Sequence, residues 1–368
     1  IRDRSPSRGL GDVYKRQAPY SDNISPLKYP NTLDSSFVPM GKPISVPSGG
    51  SVARVNLSPW IYRRVARLIE RESFDVVHIH EPFASVITLG ALAAYIPERV
   101  TRVATFHTYK GSHLYRVLGK KLLHRYASKL KGSIAVSETS KRFVEEFIPS
   151  DYKIIPNGIF VDEFKHSEPF EEYKDGKINI LFLSRMEKRK GLQYLLSAYS
   201  DLKWDFPDTR LIIVGGGNMD AESHSIIGSR NPADIVVIGE VSDSDKARYY
   251  KTADIFCAPA TGQESFGIVL LEAMAAGTAI AASRIEGFSN VVEDDRNSLM
   301  FSPKNVESLR NVLTKLISDQ KLRDRLSRSG SMDVFRYNWD TVASEVVDYY
   351  QQLGAISPEL DVINLTTG

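Results

Sequence analysis

Short β-branched runs, each followed by a helix-compatible stretch, recur along this chain, and that alternation restricts the fold more than any other feature. Residues 75–80 (Asp-Val-Val-His-Ile-His) form the first run, closed by Glu81-Pro82 and followed by small and apolar residues from 85 to 95. Residues 103–107 precede a helical stretch over about 113–131, and 133–137 precede 138–147. A second series follows: 178–184 before a helix over 191–202, 210–215 running into Gly216-Gly217, 235–239 before 245–252, 254–259 before 266–276, and then 278–283. Repeated β–α units imply parallel sheets covered by helices on both faces.

At 368 residues the chain exceeds what one hydrophobic core serves, so two domains are expected. The fold class is therefore α/β, with two Rossmann-like doubly wound domains. Residues 18–166 form the first domain, a charged stretch without period over 167–177 suits a linker, and 178–338 form the second. Residues 339–353 read as an amphipathic helix, with Val342, Val346, Val347 and Tyr350 at helical spacing, expected to pack back on the first domain. A tail without period closes the chain over 354–368.

Residues 1–17 hold five basic and two acidic side chains with no apolar period. They resemble translated adapter sequence and are set aside as a non-native extension. Without them the formal charge falls from +2 to −1, so no nucleic-acid partner is implied. No apolar run approaches the roughly 18 residues of a spanning helix and no signal-peptide core opens the chain, so a cytoplasmic protein is expected. Cys257 is the sole cysteine, which excludes an intrachain disulfide and a cysteine-cluster metal site. His78 and His80 point the same way along a strand, but no third ligand converges with them, and no metal site is expected.

The stretch Gly262-Gln263-Glu264-Ser265-Phe266-Gly267 carries the most chemistry. A strand ends, small residues admit a ligand to the backbone, and the helix 268–276 opens with unpaired N–H groups at its positive end, an anion site. Glu264 and Glu272 stand eight residues apart, roughly 12 Å at helical rise, which suits a ligand lying along the helix. Glu272 has apolar neighbours (Leu270, Leu271, Ala273, Met274), so its charge needs a partner. Arg185 and Lys190 follow the strand 178–184 at the edge where doubly wound sheets bind ligands, and they could clamp a diphosphate. Lys188 and Arg189 make this a basic run, for which a solvated loop is the alternative. Asp243-Ser244-Asp245 is better explained as a helix cap than as a metal motif.

Arg185…Lys190-Gly191 together with Glu264-Ser265-Phe266-Gly267…Glu272-Ala273-Met274-Ala275-Ala276-Gly277 resembles the retaining glycosyltransferases of two-Rossmann (GT-B) architecture with a paired-glutamate motif. His78-Ile79-His80-Glu81-Pro82, Ala104-Thr105-Phe106-His107-Thr108, Ile155-Pro156-Asn157-Gly158 and Cys257-Ala258-Pro259 are similar to the bacterial phosphatidyl-myo-inositol mannosyltransferases. The resemblance runs from about Ala18 to Leu353. It implies that the second domain takes a nucleotide sugar and the first lies on the acceptor side. Arg185 and Lys190 would bind the donor diphosphate, Glu272 the ribose and Glu264 the transferred sugar, with Ser265, Phe266 and Gly267 completing the donor contacts and His107 lying against the sugar. Residues 239–246, with Val241, Asp243 and Lys246, correspond to a loop that reads guanine, which points to GDP-mannose. No cofactor is expected to bind tightly, and magnesium would assist the diphosphate without dedicated protein ligands.

In the family a first strand, a glycine-rich loop, a helix and a second strand come before the point that Ala18 matches. The expectation is therefore a first domain truncated at its N-terminus and a polypeptide inactive or nearly so as written, whose second domain still folds. Arg63, Arg67 and Arg71 recur every four residues on a helix over 59–70, with Arg54 and Arg64 nearby and Trp60, Ile61, Val65, Leu68 and Ile69 assigned to its other side. Such a helix could rest on an anionic membrane at the inner face, next to a lipid acceptor, or be an ordinary solvated helix. Arg116, Lys120, Lys121 and Arg125 offer a second basic face. The competing readings are a related transferase with another nucleotide sugar and a soluble acceptor, or a non-catalytic sugar-nucleotide-binding protein.

Overall fold

The computed structural model describes residues 58–72, 74–109, 123–230 and 233–355, together with the backbone of four short strands before them. These strands are Arg16–Ala18 (β1), Phe37–Pro39 (β2), Ile44–Ser48 (β3) and Ser51–Val55 (β4). β1 pairs parallel with β2, and β3 pairs antiparallel with β4. Arg16 and Gln17, set aside above with the extension, thus belong to a strand. The chain divides into two compact units, one holding the residues up to Pro156 and from Asp340, the other Asn157–Trp339.

In the first unit Val76–His80 (β5), Thr101–Phe106 (β6), Gly132–Ala135 (β7) and Tyr152–Ile154 (β8) form a parallel sheet in that order. The helix Pro59–Arg71 starts with proline at its first turn, where no N–H is needed, and buries Ile61, Val65 and Ile69 at fourfold spacing. Burying side chains of this size stabilises the unit by roughly 1.5–3 kcal/mol each. The helix Val86–Ala93 packs against it, its start fixed by a capping box between Ser85 and Thr88. At the chain's end, the helix Trp339–Gln352 brings Tyr349 to the β7 backbone, where its hydroxyl accepts the Ser133 N–H at 3.1 Å. Of the helical stretch expected over 113–131, residues 113–122 lie outside the described residues, and a helical turn runs over 123–127.

The second unit has six parallel strands: Ile178–Leu183 (β9), Thr209–Val214 (β10), Ile235–Gly239 (β11), Ile255–Ala258 (β12), Ala279–Ser283 (β13) and Leu299–Phe301 (β14). Their spatial order is β11-β10-β9-β12-β13-β14. Counted from β9 this is 3-2-1-4-5-6, the doubly wound order. Alternation along the strands feeds two cores. Ile180, Phe182, Leu211, Ile213, Ile255 and Cys257 face one that includes Leu192, Leu195 and Leu196 of the helix Leu192–Asp205. Leu181, Ile212, Val214, Phe256 and Ala258 face another with Leu270, Leu271 and Met274 of the helix Ile268–Ala276.

Two boundaries differ from the sequence reading. Residues 157–166, grouped above with the first domain, belong to the second, because Val161 and Phe164 of the helix Val161–Lys165 are buried in its core, Phe164 edge-on to Tyr250. Within 167–177, Phe170 and Tyr173 pack on Tyr249, so the expected linker is part of the unit's body. The helices Val306–Ser318 and Gln320–Asp333, capped by Asn305 and Asp319, complete the second unit.

Candidate active site

The strand order reverses between β9 and β12, and their connections leave to opposite faces of the sheet. In doubly wound sheets this is the point at which ligands bind, beyond the carboxyl ends of the strands. The loop after β9 carries Arg185 and Lys190, and the loop after β12 carries Glu264. The two loops touch. Gly191 holds φ 77°, and a Cβ there would lie 1.9 Å from the Pro259 carbonyl oxygen, so only glycine admits the approach. Gly287 likewise lies under Glu264, whose carbonyl oxygen would be 1.9 Å from an added Cβ.

Charges meet at this seam. Lys190 Nζ and Arg189 Nη1 each donate to Glu264 Oε1 at 2.6 Å. Arg189 also pairs with Glu187 at 2.9 Å, and Arg185 reaches the other oxygen of Glu187 at 2.9 Å. Arg189, Lys190, Glu187 and Glu264 are each about 15% exposed, whereas Arg185 is 55% exposed. Burial holds the Lys190 ammonium below its usual range, and the Glu264 charge opposes that shift. Three cations against two carboxylates leave the seam a net positive place for an anion. Beside it, the helix Ile268–Ala276 begins at Gly267 in the left-handed region with no side chain capping it.

The helix starts at Ile268, so Glu264 precedes it in a loop where Gln263 and Gly267 both have positive φ. The separation of the two glutamates is therefore only half helical rise, which corrects the 12 Å span given above. Glu272 is buried and has its partners: Lys246 Nζ donates to Oε1 at 2.5 Å and Tyr250 Oη to Oε2 at 2.9 Å. Burial, then the Glu272 charge, raise the Tyr250 hydroxyl well above the usual range. Lys246 and Asp243 belong to the helix Asp243–Thr252, whose cap is Ser242; Asp243 and Asp245 sit in its first turn, where the dipole favours them.

In the first unit His107 follows β6, and three imidazoles form a row. His78 stacks on His80 with ring centroids 4.6 Å apart, and His80 Nδ1 lies 2.9 Å from His107 Nε2. His78 contacts the Tyr350 hydroxyl at 2.6 Å and the Thr105 hydroxyl at 2.7 Å. The Glu81 carboxylate accepts the His107 backbone N–H at 2.5 Å. Burial raises the Glu81 carboxyl, held back by bonds from Thr108 and His107.

Arg63, Arg64, Arg67 and Arg71 are all exposed on the helix Pro59–Arg71. Trp60, assigned above to the opposite side, is 78% exposed on the arginine face, because its position falls three, four and seven residues before Arg63, Arg64 and Arg67. Arg54 lies on β4 with its side chain outside the described residues, as are Arg116, Lys120 and Lys121; Arg125 is exposed. Among the described residues no helix is long and apolar enough to cross a membrane.

Residues 163–332 match Glycosyl transferases group 1, and residues 28–163 match Glycosyltransferase Family 4. The chain is 35% identical to the phosphatidyl-myo-inositol mannosyltransferase of Mycobacterium tuberculosis, over 96% of this chain and 93% of that one. It is 36% identical to the protein of the same name from Mycolicibacterium smegmatis, over 96% of this chain and 89% of that one. This chain belongs to the phosphatidyl-myo-inositol mannosyltransferase family. It is a group 1 glycosyltransferase of GT-B fold and a hexosyltransferase. A solved glycosyltransferase from Rickettsia africae shares the fold, with a TM-score of 0.68 at 20% identity, covering 82% of this chain and 83% of that one.

In this mannosyltransferase the second unit brings Arg185, Lys190 and Glu264 to one seam and pairs Lys246 with Glu272. Phe266 is a buried core residue, edge-on to Tyr337, so its side chain is closed to a ligand. Val241 packs against the same core. Sequence reasoning missed Glu187, Arg189 and Tyr250. Arg189 stood in a basic run for which a solvated loop was the alternative, and that alternative holds for Lys188, which is 73% exposed. The apolar surroundings of Glu272 signalled that some partner existed, but not which.

The transferase's histidine row has a consequence for stability. Burial lowers the His78 imidazole well below its usual range, and the neighbouring His80 and His107 lower it further. Below about pH 6.5 unfolded histidine takes up a proton that folded His78 refuses, so stability decreases as the pH is lowered, by up to about 1.4 kcal/mol per pH unit for one group. Urea midpoints are expected to fall from pH 7.5 to 5.5, and His78→Asn should flatten that slope. An unaltered slope in the variant would assign the proton uptake to other groups.

Proposed function

We propose that this enzyme transfers mannose from GDP-mannose to a phosphatidylinositol-type lipid with retention of anomeric configuration. The observation that carries the reading is the meeting of Lys190, Arg189 and Glu264 at the switch point, beside an uncapped helix start. In this reading Arg185 and Lys190 take the donor diphosphate, Glu272 the ribose and Glu264 the sugar hydroxyls, while Val241, before the helix Asp243–Thr252, and Asp243 and Lys246, on its first turns, meet the base. Ser265 and Gly267, with the Phe266 backbone, line the phosphate end. A magnesium ion would assist by neutralising charge on the diphosphate, without dedicated protein ligands.

No covalent nucleophile is needed. The bond from the anomeric carbon to the phosphate oxygen breaks as the acceptor hydroxyl attacks from the same face, and the acceptor proton passes to the departing phosphate. Arg185, Lys190 and the helix start stabilise the charge that develops on the leaving diphosphate.

The exposed arginine face with Trp60 supports docking at an anionic bilayer, at the inner face of the membrane. The acceptor half is tested by sedimentation with vesicles of equal charge containing phosphatidylinositol or phosphatidylserine. The chain with GDP present is expected to sediment at least about threefold more with the inositol lipid, and the double variant Arg63→Glu, Arg67→Glu to lose most binding to both. Equal sedimentation with the two lipids overturns the inositol-lipid assignment.

A further inference from the structure

Arg189 stands where the loops after β9 and β12 join, and it is held from several sides. Its guanidinium donates to Glu264 Oε1 at 2.6 Å, to the Gln263 carbonyl at 3.2 Å and to Glu187 at 2.9 Å. Its own carbonyl accepts the Thr261 N–H at 2.8 Å and the Thr261 hydroxyl at 3.2 Å. Lys190 shares the same Glu264 oxygen at 2.6 Å.

One cation suffices to neutralise Glu264, yet two converge on it, and they differ in freedom. Lys190 ends a flexible four-carbon stem, and its ammonium makes no other side-chain hydrogen bond among the described residues. Arg189 presents a planar fork that is held at three points, Nε and Nη2 facing Glu187 and Nη1 also reaching the Gln263 carbonyl. A diphosphate arriving at the seam competes with Glu264 for the mobile ammonium, and it has no comparable means of drawing Arg189 away.

We infer that Arg189 is a positioning residue, which keeps the Glu264 carboxylate aimed at the sugar when Lys190 turns to the diphosphate. This rests on the reading of Glu264 as the sugar contact and Lys190 as the diphosphate contact. Arg189 acts through Glu264 and touches neither nucleotide nor phosphate, so its loss should be felt by GDP-mannose and not by GDP.

Calorimetric titration of the chain with GDP and with GDP-mannose tests this in Arg189→Gln, Arg189→Lys, Glu264→Gln and the double variant R189Q/E264Q. Arg189→Gln should weaken GDP-mannose about tenfold, the loss of one charge-assisted contact, and leave GDP within twofold. Arg189→Lys should recover only part of that loss. The double variant should be no weaker than Glu264→Gln alone, because both changes remove the same contact. If Glu264→Gln weakens GDP-mannose selectively while Arg189→Gln binds both ligands as the parent does, the inference fails and the sugar-contact reading stands. Equal weakening of both ligands by Arg189→Gln makes it a structural staple and also overturns the inference. If Glu264→Gln leaves the ratio of the two affinities unchanged, the underlying reading falls, and the inference with it.

Discussion

Lys190→Ala should weaken GDP binding by about 30- to 150-fold, measured by calorimetry, with little change in the unfolding midpoint. A mostly buried ammonium that meets a diphosphate contributes a charge-assisted hydrogen bond worth about 2–3 kcal/mol. The folded state tolerates the change because Glu264 keeps its 2.6 Å bond from Arg189, so no buried carboxylate is stranded. An unchanged affinity for GDP would leave Lys190 as a counter-ion of Glu264 and nothing more.

Gly191→Ala should destabilise the second unit by about 3–5 kcal/mol and abolish GDP binding in whatever folds. The residue sits at φ 77°, and its Cβ would lie 1.9 Å from the Pro259 oxygen, which is backbone and cannot rotate away. Left-handed strain costs about 1–3 kcal/mol and forced overpacking a similar amount. Relief of the clash must separate the loops after β9 and β12, and Lys190 moves with them. Gly228→Ala is the control: it lies in the helix Ala221–Arg230 with nothing within 4 Å of an added Cβ, and it should be neutral or stabilising by about 0.5–1 kcal/mol. If both variants unfold at the same urea concentration, the close approach at Gly191 carries no weight.

Local pattern made much of this legible. Arg185 and Lys190 after an apolar run, and Glu264 before a helix without charge apart from Glu272, are features of short stretches, and each lies in the connection that follows a strand. Arg189 was not legible, since its burial depends on Gln263 and Glu264, more than seventy residues away, and a run of three basic residues looks solvated by itself. Tyr250 is the same case: only the packed sheet brings its hydroxyl to Glu272. Strands of three to five residues such as β1 to β4 are too short to show a period, and the Val161 and Phe164 pair gives no sign of which domain will bury it. The order β11-β10-β9-β12 decides where the switch point falls, and it follows from crossovers that no local pattern encodes.

The donor is the centre of the account, and calorimetric titration of the chain with GDP-mannose, UDP-glucose and ADP-glucose tests it most directly. GDP-mannose should bind at least about tenfold more tightly than either of the others, a difference of roughly 1.4 kcal/mol. Binding of UDP-glucose or ADP-glucose as tight as that of GDP-mannose would contradict the assignment of the donor.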